Sequence, residues 1–445
     1  MTADRRPGDP AGQRLDVLQP EPEPVGGPAG RPGIGGEGHE PTAGTEQRHR
    51  ARHVVRREDD HHVGGCPSHQ RLPGARAEGG VESWRVPQQR DGLPGAHPGE
   101  GRQHGRQLEV PAAVVVAVWH ALTTLRPAGR AGLGVDEGWH GVRWCSFTSA
   151  AGGAPRLGAV APSSGRVLDV GVWARSRDAE TPVDLVDLVE SSAATQERVT
   201  ELVRSAPEDG AGWVRVEEVT WLAPLRAPNS LRDFMAFRSH VELASSRRGR
   251  PVPAAWDELP VFYKGNRRSV VGPGTDVAWP SFTERLDYEC EVAAVVGRGG
   301  RDVAVGDAAA HVFGYTIMND WSARDVQARE MSVGLGPAKG KDFATSLGPW
   351  VVTPDEWSPE DDHPMTVTVD GELWSSGSTA GRRWSFAEML AWVSRDEDVW
   401  PTDILGSGTF GGGCGLDVDR WLQPGAVVTL AVDGLGELTN RVVRG

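Results

Sequence analysis

A chain of 445 residues with 38% hydrophobic content has room for two or three domains and a real core in at least part of its length. Its formal charge of -14, without a clustered basic stretch, argues against nucleic acid as a partner, because phosphate binding needs a concentrated basic surface. Cys66, Cys145, Cys290 and Cys414 are widely spaced and form no Cys-x-x-Cys pair, which speaks against a disulfide framework and suits a reducing cytoplasm.

Residues 1–141 are dense in Gly, Pro, Arg and His, with runs such as GGPAGRPGIGGEGHE and HVVRREDDHHVGG. Such a composition cannot bury enough surface to offset chain entropy, so the segment is expected to be a disordered extension or translation upstream of a true start near Val142. Its one apolar run, Pro111 to Leu125, is shorter than a membrane span and too far along the chain for a signal peptide, so no membrane segment is expected. Asp59, Asp60, His61, His62, Cys66 and His69 cluster there, but ligands on a chain without fixed geometry read as an accident of composition.

Residues 142–224 suit a small α+β module. Arg156 to Val170 alternates around Ser163-Ser164-Gly165 as a hairpin would. Val183 to Arg204 carries Leu185, Leu188, Val189, Val199, Leu202 and Val203 at helical spacing, and Trp213 to Trp221 returns to strand alternation. No polar cluster converges in this module.

Residues 225–445 are strand-rich, with helices expected near Ser322 to Glu330 and Phe386 to Val393. Glycine and proline punctuate them closely, as at Gly272-Pro273-Gly274 and Gly411 to Gly413. This favours a mixed β-roll over a doubly wound parallel sheet, which would need strands alternating regularly with helices. In LDYECEVAAVV, from Leu286 to Val296, strand alternation puts Asp287, Glu289 and Glu291 on one face. Rows of acids are usually solvated, but this face runs on into Ala293 and Val295. Asp320 closes an apolar strand, and Ser322 with Asp325 fits a Ser-x-x-Asp helix cap, which leaves Asp320 available as a ligand. Lys341 in GPAKGKDFATS misses the phosphate-loop spacing, with Asp342 where Ser or Thr is required.

The stretch His311 to Trp350, HVFGYTIMNDWSARDVQAREMSVGLGPAKGKDFATSLGPW, resembles the active-site core of the fumarylacetoacetate hydrolase family, and flanking matches extend the likeness from near Val142 to the end. The resemblance implies a mainly β, α+β fold whose catalytic domain is a mixed β-roll of the fumarylacetoacetase type. It implies a divalent cation on Asp233, Glu289, Glu291 and Asp320, with Lys341 and Thr345 beside it. An all-carboxylate set without His or Cys suits a hard cation, so Mg²⁺ is expected, with Mn²⁺ or Ca²⁺ left open.

By the same resemblance His240 is the general base, and SGTFGGGCGLDV places Asp417 where the family has an orienting glutamate, with Glu242 the alternative partner. Arg324, Gln327 and Lys341 are implied as groups that stabilise developing charge, and Tyr263 and Thr409 as substrate contacts. Arg247, Arg248 and Arg250 compete for one further family arginine. The implied reaction is hydrolysis of a C–C bond in a 1,3-diketo acid of the fumarylacetoacetate or acylpyruvate type. Tautomerisation, decarboxylation or isomerisation of a keto acid is the alternative, and a catalytically weakened metal-binding homologue a smaller one. A homodimer with a small-molecule substrate and no membrane or nucleic-acid partner is expected.

Overall fold

The computed structural model describes Trp139, residues 141–161 and residues 165–444. The apolar run and the His/Cys/Asp cluster of the N-terminal extension lie outside the described residues, as do Ser163 and Ser164 of the expected hairpin turn. No helix among the described residues is long and apolar enough to cross a membrane.

The strand Cys290–Val296 organises the fold, because an almost wholly apolar sequence can be buried on both faces. It pairs antiparallel with Val312–Asp320 on one side and with Ile404–Gly406 on the other. Ile404–Gly406 lies parallel to Leu231–Phe234, which pairs antiparallel with Phe262–Lys264. Outward from Val312–Asp320 come Thr345–Val352, Arg143–Ser149, Gly152–Val160, Arg166–Asp169 and Trp213–Arg215. One mixed sheet thus carries both the strands of residues 142–224 and several of those of residues 225–445, and the fold is mainly β, as the sequence led us to expect.

Side-chain alternation along Cys290–Val296 feeds two cores. Val292 and Ala294 join Met365, Val367, Val428 and Leu430 of a second, five-stranded sheet. Ala293 and Val295 join Leu185, Leu188, Val199 and Val203 of the N-terminal helices. Each fully buried Val or Leu contributes roughly 1.5–3 kcal/mol, so both faces are anchored.

Local structure departs from the sequence expectation at several places, each with a visible cause. The hairpin forms, with Val160 opposite Val167, but Val170 begins a helix because Asp169 accepts from Val172 N at 2.9 Å. The stretch of helical spacing from Val183 to Arg204 folds as two helices, Leu185–Glu190 and Ala193–Arg204, with Asp184 and Ser192 as separate N-caps. The strand expected from Trp213 to Trp221 is interrupted by a 3-10 turn at Val216–Glu218, where Glu218 bonds back to Arg215 N. Phe386–Val393 is helical as expected, with a capping box between Ser385 and Glu388.

The helix expected from Ser322 begins instead at Arg324 and ends at Ser332. Ser322 is no cap: Ser322–Ala323 pairs with Leu286–Asp287, and the Ser322 hydroxyl donates to the Asp320 carbonyl. Asp325 is taken up by Thr283 Oγ1 and Glu284 N.

Candidate active site

Four carboxylates meet where neighbouring strands run side by side. Asp233 comes from Leu231–Phe234, Glu291 from the central strand, Glu289 from the residue just before it and Asp320 from the end of Val312–Asp320. All four are buried, and each offers an oxygen within 4.8 Å of the others. Gly406 lies on the strand between those of Asp233 and Glu291, opposite Ala293 on one side and Asp233 on the other. A Cβ there would stand 2.5 Å from Asp233 Oδ1 and 3.1 Å from Glu291 Oε2, so glycine is what permits the approach.

Asp287 does not belong to this group, contrary to the alternation read from sequence. The expected continuous strand breaks after Asp287, whose carboxylate accepts from Arg324 Nε at 2.7 Å, Gly415 N at 2.8 Å and Leu416 N at 2.9 Å.

Two cations face the acids. Lys341 Nζ lies 2.7 Å from Glu289 Oε2 and 2.5 Å from Asp320 Oδ2, and Arg324 Nη1 lies 2.7 Å from Glu289 Oε1. Burial alone would raise the Glu289 carboxyl, but Lys341 and Arg324 hold it well below the usual range. Burial, then repulsion from Asp320, pushes Asp233 well above that range, and burial with repulsion from Asp233 does the same to Glu291. Asp320 is raised by burial, with Lys341 opposing.

Glu291 Oε1 and Asp320 Oδ1 are buried without a hydrogen-bond partner. Orphaned carboxylate oxygens and acids forced upward by one another are what an oxygen-ligated hard cation would relieve, so the residues fit a divalent ion. Lys341 is a counter-charge in this arrangement: its ammonium is held in the charged form by Asp320 and Glu289 against the effect of burial. Thr345 is buried beside the cluster, paired in register with Asp320.

His240 sits on the helix Arg238–Arg247, and its Nδ1 lies 2.8 Å from Asp417 Oδ2. Asp417 also accepts from Gly412 N at 3.0 Å, while Arg247 donates to its carbonyl at 2.9 Å. Glu242, the other partner considered, is exposed and faces Arg238 at 3.9 Å. The shorter aspartate reaches the imidazole because its loop packs directly on the helix. A Cβ at Gly411 would stand 2.6 Å from the Ser239 side chain, and Gly411 N donates to Ser239 Oγ at 3.0 Å.

His240, Arg324, Gln327, Lys341, Tyr263 and Thr409 line one cleft of about 250 Å³ together with Asp233 and Glu289. Gln327 accepts from Arg324 Nη1 at 3.2 Å, Tyr263 donates to Asp320 Oδ2 at 2.8 Å, and Thr409 donates to the Cys290 carbonyl at 3.0 Å. Among the competing arginines, Arg248 lines the cleft two turns along the helix from His240. Arg247 is engaged at Asp417, and Arg250 is exposed and does not line the cleft.

The sequence reading missed two contributors, Asp287 and Cys414. Asp287 was read on the wrong face. Cys414, which the sequence presents only as an isolated cysteine, forms a close group with His240 and Asp417.

A buried carboxylate set that fits a divalent ion, two cations and a histidine paired with an acid gather around one cleft, as the groups of an enzyme site would. The chain belongs to the fumarylacetoacetate hydrolase family. Residues 230–443 match the family model for the fumarylacetoacetate hydrolase C-terminal domain. The chain is 30% identical over 293 residues to the mitochondrial oxaloacetate tautomerase FAHD2A of Homo sapiens, covering 65% of this chain and 88% of that one. It is 43% identical to the fumarylacetoacetase of Oryza sativa over 126 residues, 24% of this chain and 29% of the relative. Among solved structures, the fumarylacetoacetate hydrolase of Exiguobacterium antarcticum matches with a TM-score of 0.54 at 27% identity, covering 68% of this chain and all of that one.

Proposed function

We propose that the protein hydrolyses a C–C bond in a 1,3-diketo acid of the fumarylacetoacetate or acylpyruvate type. The observation that carries this reading is the 2.8 Å contact between His240 Nδ1 and Asp417 Oδ2 on the wall of the carboxylate cleft. Asp417 fixes the imidazole with Nδ1 protonated, which leaves Nε2 to take a proton from water as the water oxygen bonds to a substrate carbonyl carbon. A divalent ion on Asp233, Glu289, Glu291 and Asp320, Mg²⁺ by preference, would supply Lewis-acid polarisation of the substrate's keto oxygens.

The bond between the attacked carbonyl and the adjacent carbon then breaks, and its electron pair stays on the departing fragment. Arg324 and Lys341 place positive charge where that fragment leaves, and Gln327 orients Arg324 from three residues along the helix. Tyr263 and Thr409, both at the cleft wall, contact the substrate's oxygens. The proton held on His240 returns to the departing carbon, so acid and base balance over the turnover.

A second reading rests on the relatives named oxaloacetate tautomerase: the same base and the same ion would move a proton between carbon and oxygen of a keto acid without water. Assays of acylpyruvate, fumarylacetoacetate and oxaloacetate with Mg²⁺ separate the two. Diketone cleavage that disappears in His240→Ala supports hydrolysis, whereas tautomerisation without any cleavage replaces it.

A further inference from the structure

Beside the hard carboxylate set lies a group of different chemistry. His240, Cys414 and Asp417 each offer a ligand atom within 4.8 Å of the other two, and the Asp417 and Cys414 side chains are wholly buried. Asp417 Oδ1 has no hydrogen-bond partner, although Oδ2 of the same carboxylate has two. A buried carboxylate oxygen left unsatisfied beside a thiol and an imidazole is an unfilled donor position.

The residue types select the ion. Thiolate and imidazole suit Zn²⁺ and its congeners, whereas the neighbouring oxygen set suits Mg²⁺. Zn²⁺ takes sulfur at about 2.3 Å and nitrogen or oxygen at about 2.0–2.2 Å, so ligand atoms already gathered this closely need little movement. Neutral imidazole, carboxylate and thiolate around a doubly charged ion give a group with no net charge, the least costly form in which ions can be buried. The cleft supplies a route inward, because His240 lines it. Backbone contacts hold the ligands from behind: Asp417 N donates to the Cys414 carbonyl at 3.1 Å, and Arg247 holds the Asp417 carbonyl.

We propose that His240, Cys414 and Asp417 form a second metal site that takes Zn²⁺ and silences the catalytic base. The bound ion takes the place of the His240 Nδ1 proton, which moves to Nε2 and leaves that nitrogen no lone pair for water. Cys414 exchanges its S–H bond for a sulfur–metal bond, and its one proton passes to solvent. Binding itself stands apart from the reaction proposed above; only the loss of turnover rests on that reading.

The test uses the full chain with Mg²⁺ in excess, which keeps the carboxylate set saturated. Cd²⁺ as a probe should produce the ultraviolet charge-transfer absorption of a metal thiolate, and Zn²⁺ should abolish turnover. Cys414→Ser keeps the side chain's size; it should lose the absorption and need more than about tenfold higher Zn²⁺ for the same inhibition. Wild-type protein without a Cys414-dependent thiolate band overturns the site. If the band is present but Zn²⁺ inhibits Cys414→Ser as strongly as wild type, the assignment of inhibition to this site is overturned. Because the band needs no substrate, a band without diketone cleavage counts against the proposed reaction and leaves the site standing.

Discussion

Arg324 places Nε 2.7 Å from Asp287, so a single guanidinium joins the loop that carries the dyad acid to the carboxylate set, through its second contact with Glu289. Asp287 in turn receives Gly415 N and Leu416 N at the start of the short helix Gly415–Val418, on which Asp417 rides. His240 and the carboxylate set are therefore mechanically linked, although Asp287 does not line the cleft.

Asp287→Asn should consequently damage both. Removing the charge leaves Arg324 buried with one acid fewer, and breaking a buried ion pair costs about 3–5 kcal/mol. Urea denaturation should show a loss on that scale, and turnover should fall in the fraction that remains folded. Wild-type stability in this variant would show that the Arg324 bridge is dispensable.

Gly406→Ala tests the close approach of Asp233 and Glu291. A methyl group there meets Met318 and Asp233 Oδ1 in a packed site, and overpacking of this kind costs about 1–3 kcal/mol. The distinguishing readout is the ion. Mg²⁺ should raise the melting temperature of the wild type and have much less effect on the variant, and an equal Mg²⁺ response in both would contradict the assigned role of Gly406.

Removing divalent ions should expose the strain among the acids as a pH dependence. Asp233, Glu291 and Asp320 are held above the ordinary carboxylate range, by burial before all else. An acid raised on folding stabilises the fold fully below its unfolded value of about 4, and that contribution is lost as pH rises through the folded value. Glu289 is shifted the other way; its contribution is present above the unfolded value and is lost only in strong acid. In chelator the melting temperature should therefore fall as pH rises above the unfolded value of about 4, and Mg²⁺ should flatten the slope. A flat or rising curve in chelator would falsify this account.

Much of the site was legible because its signals are local. Glu289 and Glu291 stand two apart, Asp320 closes an apolar strand, and the string from His311 to Trp350 supplies Arg324, Gln327 and Lys341 in order. What could not be read depends on partners far along the chain. Alternation put Asp287 with Glu289, but Gly415 and Leu416, more than a hundred residues later, turn its carboxylate elsewhere. Ser322 has the pattern of a cap and is instead committed to strand pairing with Leu286–Asp287. The break at Ser191-Ser192 was locally visible, yet the apolar spacing on either side masked it.

The length of the residue that orients His240 yields the last prediction. Asp417 Oδ2 already lies at hydrogen-bond distance from both His240 Nδ1 and Gly412 N, so the loop is built around the shorter side chain. Asp417→Asn keeps the shape but lets the imidazole turn or adopt the wrong tautomer; kcat should fall by about 10²- to 10⁴-fold with little change in KM. Asp417→Glu should also lower kcat, since an added methylene pushes the carboxylate past both donors in a buried site. A large gain of activity in Asp417→Glu would instead mark the native protein as a weakened catalyst, with the aspartate as the lesion.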